Sequence, residues 1–305
     1  MKVLAAIDSS AYSQQVLEEI ATRPWPAETK VRILHVIDWP QLPSGASLIE
    51  TLKDSADHLV EAAAKRLCGA GLDATTEVVE GHPRIAVPDY AKKWRADFVL
   101  VGSQGATGLA RFLLGSVAQA ALRGSPCSVE IVRKAVREPA AILHGMKVLL
   151  ATDGSECAMA AVRSVAARPW PERTQIRLIS VIPVILALGA SHPLPPMYLP
   201  SDAFETLQTQ ARSRAEEAIE RAHQILRKAD IEPIKTGFLP IGDAREVILE
   251  EAKEWGADLI VVGSHGYHGI NRFMLGSVSE AVAMHAHSSV EVIRETAIEA
   301  RKELS

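Results

Sequence analysis

The stretch Val261-Val262-Gly263-Ser264-His265-Gly266 joins an apolar strand to a glycine-rich loop. The loop ends at Leu275-Gly276-Ser277-Val278, where a helix is predicted to begin. The same pattern occurs earlier, from Leu100-Val101-Gly102-Ser103-Gln104-Gly105 to Leu114-Gly115-Ser116-Val117. Glycine lets the backbone come close to a ligand, and the first turn of a helix has N–H groups without an intrahelical partner. The pattern therefore predicts two loops that can hold a phosphate group.

The chain contains an internal repeat. Residues 2–10 return as residues 147–155, and Arg23-Pro24-Trp25-Pro26 returns as Arg168-Pro169-Trp170-Pro171, both 145 positions later. Gly102 and Gly263 are 161 positions apart, so the second copy has gained 16 residues, which we place in the proline-rich segment 183–200. Because 305 residues are many for one core, the repeat predicts two domains, residues 1–135 and 146–295.

Each copy alternates between predicted strands and helices. The predicted strands are residues 3–7, 31–37, 74–79, 98–101 and 128–132 in the first copy, and 147–152, 176–182, 234–239, 258–262 and 289–293 in the second. This alternation predicts the α/β class, with two tandem doubly wound domains of parallel strands. Ligands of such domains bind beyond the carboxyl ends of the strands. The first strand borders this ligand crevice in the order 2-1-3-4-5 and in the order 3-2-1-4-5. If the order is 3-2-1-4-5, strands one and four are neighbours, so Asp8 would face Gly102 and Asp153 would face Gly263.

Composition argues against several classes of function. The net charge of −4 gives no reason to expect binding to nucleic acid or to an anionic membrane. Cys68, Cys127 and Cys157 are far apart and show neither metal nor disulfide spacing. The first apolar run meets Asp8 too early for a secretory signal, and the longest run, 178–190, is too short for a membrane span. We therefore expect a cytoplasmic protein without nucleic-acid or membrane partners.

Both copies resemble the universal stress protein family, and the whole chain resembles a tandem member of it. The resemblance is carried by the first strand ending in Asp8 or in Asp153-Gly154-Ser155, by the second strand ending in His35-Val36-Ile37-Asp38 or in Ser180-Val181-Ile182, and by the glycine loop. It implies a five-stranded parallel sheet of order 3-2-1-4-5 in each domain and pairing of domains through their last strands. It also implies ATP binding, because the complete loop marks the members of this family that bind ATP.

The resemblance further implies which residues contact the nucleotide. In the first domain the adenine and ribose would lie near Ala6, Ile7, Asp8 and Val36, and the phosphates near Gly102, Gly105, Gly115, Ser116 and Val117. In the second domain the same roles fall to Ala151, Thr152, Asp153, Val181, Gly263, Gly266, Gly276, Ser277 and Val278. Arg272, like Arg111 in the first loop, could reach a phosphate or could be a solvated loop arginine.

Some of these residues have a second interpretation. Asp8 and Asp153 could accept ribose hydroxyls or help to hold Mg2+ through water, or they could cap the helix that follows. The hydroxyls of Ser116 and Ser277 could bond the ligand or cap a helix. A metal site can be imagined from His265, His268, His285 and His287, but no cysteine or carboxylate completes a recognisable set.

The expected function is binding of ATP with Mg2+, in a regulatory or stress-response role. The sequence shows no positioned general base, no nucleophile with a partner and no Walker lysine, so efficient phosphoryl transfer is not expected. A slow Mg-dependent ATPase, with the His265 loop near the γ-phosphate, and an interaction module with empty loops are the alternatives. Each last strand would be an open edge that needs a partner, either the other domain or a second chain, and we expect a homodimer.

Overall fold

The structure, a computed structural model, describes residues 1–38, 46–105, 114–133, 145–183, 201–234, 239–266 and 275–295. The strands of the first domain are β1 (Lys2–Ala6), β2 (Lys30–Ile37), β3 (Asp73–Glu80), β4 (Phe98–Gly102) and β5 (Ser128–Val132). Its helices are α1 (Ala11–Thr22), α2 (Ala46–Gly69), α3 (Pro83–Trp94) and α4 (Ser116–Gly124). The central strands are continuous apolar runs, as is typical of parallel strands covered on both faces.

The second domain follows the same order, except that two short strands are added and, among the described residues, no strand matches β3. Its strands are β6 (Lys147–Ala151), β7 (Gln175–Ile179), β8 (Ile182–Pro183), β9 (Ile241–Gly242), β10 (Leu259–Gly263) and β11 (Ser289–Ile293). Its helices are α5 (Glu156–Ala166), α6 (Ser201–Arg227), α7 (Ala244–Trp255) and α8 (Ser277–His285).

One sheet of nine strands, in the order β3-β2-β1-β4-β5-β11-β10-β6-β7, runs through both domains. The first domain has the predicted order 3-2-1-4-5, with all its strands parallel. The second domain has the matching order, in which β6 lies between β7 and β10. In both domains the first strand is therefore the neighbour of the fourth, which is the arrangement that the predicted crevice requires.

Two strand predictions for the second domain need correction. The predicted strand 176–182 is too long, because β7 ends at Ile179 and Ile182 pairs instead with Ile241 in a separate sheet of two strands. Pro183, which has no N–H to donate to a ladder, ends that pairing. Of the predicted strand 234–239, Ile234 makes an isolated parallel bridge to Arg177, whereas Leu239 lies in no strand. The described part of the second domain thus adds four strands and this bridge to the large sheet.

Several other predicted segments lie wholly or mostly outside the described residues. They are the linker 134–144, most of the insertion 183–200 and the tail after Glu295.

Helices cover both faces of the large sheet. On one face the buried side chains of β1 and β6 pack against α1, α2, α5 and α6, and Val16, Leu67, Met159 and Leu226 are among the residues in contact. On the other face α3, α4, α7 and α8 complete a second core. Because these layers extend across both domains, the strand ends that carry the predicted ligand contacts rest on one continuous support.

The two domains pair through their last strands, as predicted. Strands β5 and β11 are antiparallel, and Glu130 lies directly opposite Glu291. The sequence left open whether these edges pair within one chain or between chains, and the structure shows pairing within the chain. Both edges are therefore occupied within the chain, and the expected homodimer, through last-strand or domain surfaces, stays a prediction. A second chain would have to use other surfaces.

The seam, as we call the β5–β11 contact and the side chains that cross it, buries a network of charges. Glu130 and Glu291 are completely buried. The Arg23 guanidinium donates from Nη1 to Glu130 Oε2 at 2.8 Å and to Glu291 Oε1 at 3.2 Å. Arg168 donates from both terminal nitrogens to Glu291, at 2.7 and 2.6 Å. These arginines come from the repeated Arg-Pro-Trp-Pro segments, so each copy supplies one arginine and one glutamate to the seam.

The two buried glutamates respond differently to this environment. Burial raises the pKa of Glu130 above its ordinary value, and the nearby Arg23 cation only partly offsets that effect. Burial also disfavours the charged form of Glu291, but the cations of Arg168 and Arg23 together outweigh burial, so the pKa of Glu291 is lowered. The difference arises because Glu291 bonds both arginines, whereas Glu130 bonds only Arg23, which also bonds Glu19, at 2.6 Å.

A second pair of arginines links the domains on the opposite face of the sheet. Arg133 donates to the carbonyl oxygen of Ala283 in α8, and Arg294 donates to the carbonyl oxygen of Leu122 in α4, at 2.9 Å. Each arginine thus bonds a carbonyl near the carboxyl end of a helix in the other domain, where such oxygens lack intrahelical partners. The two contacts are repeat-equivalent and give the seam an approximate twofold symmetry.

Candidate functional site

The predicted ligand residues of each domain lie together where the first and fourth strands end. In the first domain, Ala6 at the end of β1 pairs with Val101 of β4. The Ile7 amide continues from β1 and donates to the carbonyl of Leu34 in β2, at 2.9 Å. Because the strands are parallel, the segments after β1, β2 and β4 all leave the sheet at one edge.

Asp8 and Asp153 precede the first helix of their domains without capping it. The N-caps are Ser10 and Ser155, whose hydroxyls accept from the backbone N–H three residues later. The capping interpretation of the aspartates is therefore wrong. Asp8 Oδ1 accepts from the Ser10 amide at 2.9 Å, and Asp153 Oδ1 accepts from the Ser155 amide at 2.9 Å. These bonds fix the direction of each carboxylate in a turn before the helix.

The second carboxylate oxygen faces the glycine loop in both domains. A Cβ added at Gly105 would lie 2.8 Å from Asp8 Oδ2, and one added at Gly266 would lie 2.6 Å from Asp153 Oδ2. Both separations are shorter than carbon–oxygen contacts normally allow. Glycine at these positions therefore keeps the carboxylate at the edge of the crevice, and this contact confirms that strand one and the loop face each other.

The glycine at the end of the fourth strand has a structural reason. A Cβ at Gly263 would meet the backbone of Cys157 at 2.6 Å, and one at Gly102 would meet Cβ of Tyr12 at 2.7 Å. The first helix of each domain passes this close to the strand. We infer that Gly102 and Gly263 permit helix–strand packing, a requirement that the sequence pattern did not distinguish from an approach to a ligand.

The end of each loop is tied back to its beginning. The amide of Gly115 donates to the carbonyl of Ser103 at 2.7 Å, and that of Gly276 donates to the carbonyl of Ser264 at 2.8 Å. These glycines are the N-caps of α4 and α8 and provide no side-chain cap. Ser116 and Ser277 are thus the first helical residues, and the interpretation that their hydroxyls cap a helix is wrong. The helix N-termini are directed at the crevice.

A cavity of about 730 Å³ occupies the crevice of the second domain. It reaches from the strand ends to the first turn of α8 and is bounded on one side by α6. All nine predicted second-domain residues other than Arg272 line it, namely Ala151, Thr152, Asp153, Val181, Gly263, Gly266, Gly276, Ser277 and Val278. Its size is in the range of pockets that hold small molecules and cofactors. Arg111 and Arg272 lie outside the described residues.

The cavity also contains residues that the sequence analysis missed. Arg214 of α6 lines it, as do Ser180 after β7 and Ala215 next to Arg214. Arg214 was missed because it lies on a long charged helix, where an arginine is normally solvated. The sequence did contain a signal for Arg214. It lies four residues before the buried Ala218, and residues four apart lie on the same side of a helix.

The corresponding residues of the first domain differ. Ser13, whose hydroxyl donates to Asp8 Oδ1 at 2.7 Å, is replaced by Ala158 in the second domain. Tyr12 donates its hydroxyl to Gln104 Oε1 at 2.9 Å, joining α1 to the loop. Cys157 and His265 occupy those two positions in the second copy. The aspartate of the second domain therefore has fewer partners from its own helix.

The described residues show no sign of a dedicated metal or membrane site. Within the described ranges, no three His, Cys, Asp or Glu side chains come close enough together to hold a metal ion. His268, one of the four histidines considered, lies outside them. None of the helices in the part of the chain that the structure describes combines the length and apolar character of a membrane span.

Comparison with known proteins gives one consistent family. A model of the universal stress protein family matches residues 1–133 and 146–294. A universal stress protein of Mycolicibacterium smegmatis is 29% identical over 302 residues, which cover 96% of each chain. One from Mycobacterium tuberculosis is 27% identical over 310 residues, covering 96% of this chain and 97% of the relative. The crystal structure of a universal stress protein from Archaeoglobus fulgidus has the same fold, with a TM-score of 0.63, 20% identity and 96% coverage of both chains.

Proposed function

The chain belongs to the universal stress protein family, and we propose that it is a cytoplasmic regulatory protein that binds ATP with Mg2+ at its glycine loops. The observation that carries the proposal is the second-domain cavity. Residues chosen from the sequence for adenine, ribose and phosphate contacts line one space of about 730 Å³. A nucleotide needs such a space at the strand ends, with a helix N-terminus at one side.

The charges around the cavity suit a Mg2+-bound nucleotide better than a neutral ligand. The N-terminus of α8 provides backbone N–H groups for phosphate oxygens. Arg214 is the only lysine or arginine among the described residues that line the cavity, and its side chain is exposed enough to move. Asp153 would repel phosphate unless a cation lay between them, and in this proposal its Oδ2 holds a ribose hydroxyl or a water on Mg2+.

The proposal is tested by titrating ATP and Mg2+ into the full chain and into two matched variants, Gly266→Val and Gly105→Val. In each variant the new side chain displaces the aspartate that faces the loop. We expect Gly266→Val to abolish binding in the second domain while thermal unfolding stays cooperative. Gly105→Val should leave that binding intact. Equal affinity and stoichiometry in wild type and both variants would contradict the assignment.

The same experiment separates the alternatives. Phosphate release that depends on Mg2+ and disappears in Asp153→Ala would favour the slow ATPase. Absence of ATP binding by the wild-type chain would favour the interaction module. We further propose that any homodimer forms through surfaces other than the last strands. Sedimentation of the wild-type chain with and without ATP tests that point.

A further inference from the structure

His265 distinguishes the second-domain site from the first. It is the residue before Gly266 in the glycine loop, and Gln104 is its counterpart. The Gln104 side chain bonds Tyr12 across the crevice. His265 has no tyrosine opposite it, because Cys157 occupies that position, and His265 is one of the residues that line the cavity.

The imidazole of His265 is buried and only partly satisfied. The residue is 9% exposed, and Nδ1 lies 3.0 Å from Ser264 Oγ. Nε2 is buried and has no hydrogen-bond partner in the described part of the chain. Buried ring nitrogens normally have partners, because an unpaired one loses its bond to water without replacement. A ligand in the adjoining cavity could provide that partner.

The position of His265 is at the phosphate end of the proposed site. A Cβ on Gly276 would lie 3.4 Å from His265 Cα, and Gly276 is the N-cap of α8. The His265 carbonyl accepts from Ser155 Oγ at 3.3 Å, which fixes the residue against the start of α5. The backbone of His265 therefore lies between the aspartate turn and the helix terminus at which an anion would bind.

The surrounding groups disfavour the charged form of the free imidazole. Burial, and secondarily the cation of Arg294, lower the pKa of His265. Other polar or titratable groups nearby are Asp153, Ser155 and Cys157 around the start of α5, Ser264 in the loop, Ser279 in α8 and Glu295 after β11. A bound phosphate would add negative charge next to the ring and shift its protonation in the opposite direction.

We propose that His265 is a specificity-determining residue of the second-domain site, which takes up a proton and donates it from Nε2 to a phosphate oxygen of the bound nucleotide. The inference rests on the proposed function. The proton comes from solvent, and the imidazole becomes an imidazolium while ligand is bound. With Gln104 in its place, the first-domain site takes up no such proton. Affinity at the second site therefore falls as pH rises through the pKa of the liganded imidazole.

The test is calorimetric titration of the full chain with ATP and Mg2+ in two buffers of different ionisation enthalpy. Wild type and His265→Gln are compared, with Gln104→His as the matched control. Glutamine is the residue that the first domain carries here, so His265→Gln is compatible with the local fold. We expect proton uptake by wild type to disappear in His265→Gln. The affinity loss should grow as pH falls and reach about tenfold only well below the pKa of the free imidazole, as a shift of one pKa unit would give, and it should be small near pH 8.

ATP itself also binds protons, but it does so equally in the titrations of wild type and His265→Gln. This contribution cancels when the proton uptake of the two proteins is subtracted.

A second measurement does not depend on a variant. The side-chain 15N shifts of His265 should report a higher pKa with ATP than without it. Equal proton uptake in wild type and His265→Gln, or a His265 pKa that ATP leaves unchanged, would overturn this inference while ATP binding stands. Absence of ATP binding by wild type would overturn the proposed function and this inference together.

Discussion

The seam and the two crevices show opposite relations between the copies of the repeat. At the seam both copies carry the same residues, in the pairs Arg23 and Arg168, Glu130 and Glu291, and Arg133 and Arg294. In the crevices the copies differ, in the pairs Tyr12 and Cys157, Ser13 and Ala158, and Gln104 and His265. An approximately twofold contact requires similar partners on both sides, whereas two separate crevices can diverge. Changes at the seam should therefore affect the fold, and changes in a crevice should affect one site.

The largest effect is expected from Glu291→Ala. This change leaves the Arg168 guanidinium, whose side chain is nearly buried, without the carboxylate that it bonds. Loss of one partner from a buried pair costs about 3–5 kcal/mol of the free energy of unfolding. Denaturant titration measures it. The control is Arg123→Ala, which removes the exposed pair with Glu280 across the same seam and should cost less than about 1 kcal/mol.

A smaller effect is expected from pH, through Glu130. Its pKa is raised on folding, so the folded chain binds a proton that the unfolded chain has released. Stability should therefore fall as pH rises from the ordinary carboxyl value to the raised one, by roughly 1–3 kcal/mol. Glu291 affects stability at lower pH than Glu130 does. Because the pKa of Glu291 is lowered on folding, its contribution to the free energy of unfolding is lost only as pH falls.

The control for this pH dependence is Glu130→Gln, which cannot titrate. Denaturant titrations at several pH values should show that the variant lacks the decrease in stability seen in wild type. The same pH slope in both proteins would show that Glu130 does not take up a proton on folding.

Arg133→Ala and Arg294→Ala test the symmetry of the seam. Each removes hydrogen bonds to carbonyl oxygens at the end of a helix in the other domain. We expect each to lower the free energy of unfolding by about 1–3 kcal/mol, since charged hydrogen bonds to buried groups are lost. The two values should agree within a factor of two or so. An effect confined to one of them would show that the two halves of the seam are not equivalent.

The smallest effect is expected from Arg214→Ala. The core residues Val60, Ala63 and Leu67 correspond to Ile219, Ala222 and Leu226, which makes Ser55 the counterpart of Arg214. Because Arg214 is exposed, solvent screens its charge, and we expect ATP affinity to fall only about three- to fivefold. Ser55→Ala should leave affinity unchanged. Calorimetry at low and high salt measures both, and the Arg214→Ala effect should shrink at high salt.

Much of the fold was predictable from the sequence, because the repeat and the apolar strands are local signals. The order of strands one and four and the pairing of last strands both agree with expectation. The end of β7 was not predictable from apolar character alone. Ile182 is as apolar as Ile179, and its pairing with Ile241 depends on a segment 59 positions away.

The sequence predicted which backbone positions form the candidate site. It predicted less well what each of those residues contacts. The loop glycines look alike in sequence, yet Gly263 adjoins a helix backbone while Gly266 adjoins a carboxylate. The repeated arginine before Pro24 and Pro169 was visible, but its partners are on strands more than 100 positions away. Contacts of that kind depend on how the domains assemble, which single-sequence patterns do not specify.

The most direct test of the central claim is identification of the ligand that remains on the purified chain. Protein is denatured, and the released small molecules are measured by mass spectrometry, for wild type, Gly266→Val and Gly105→Val prepared identically. The account predicts an intact adenine nucleotide from wild type, loss of the second-domain share in Gly266→Val and retention of that share in Gly105→Val. The three proteins are also incubated with ATP and Mg2+ and then desalted. The account is contradicted if wild type then holds no nucleotide, or if all three proteins hold equal amounts.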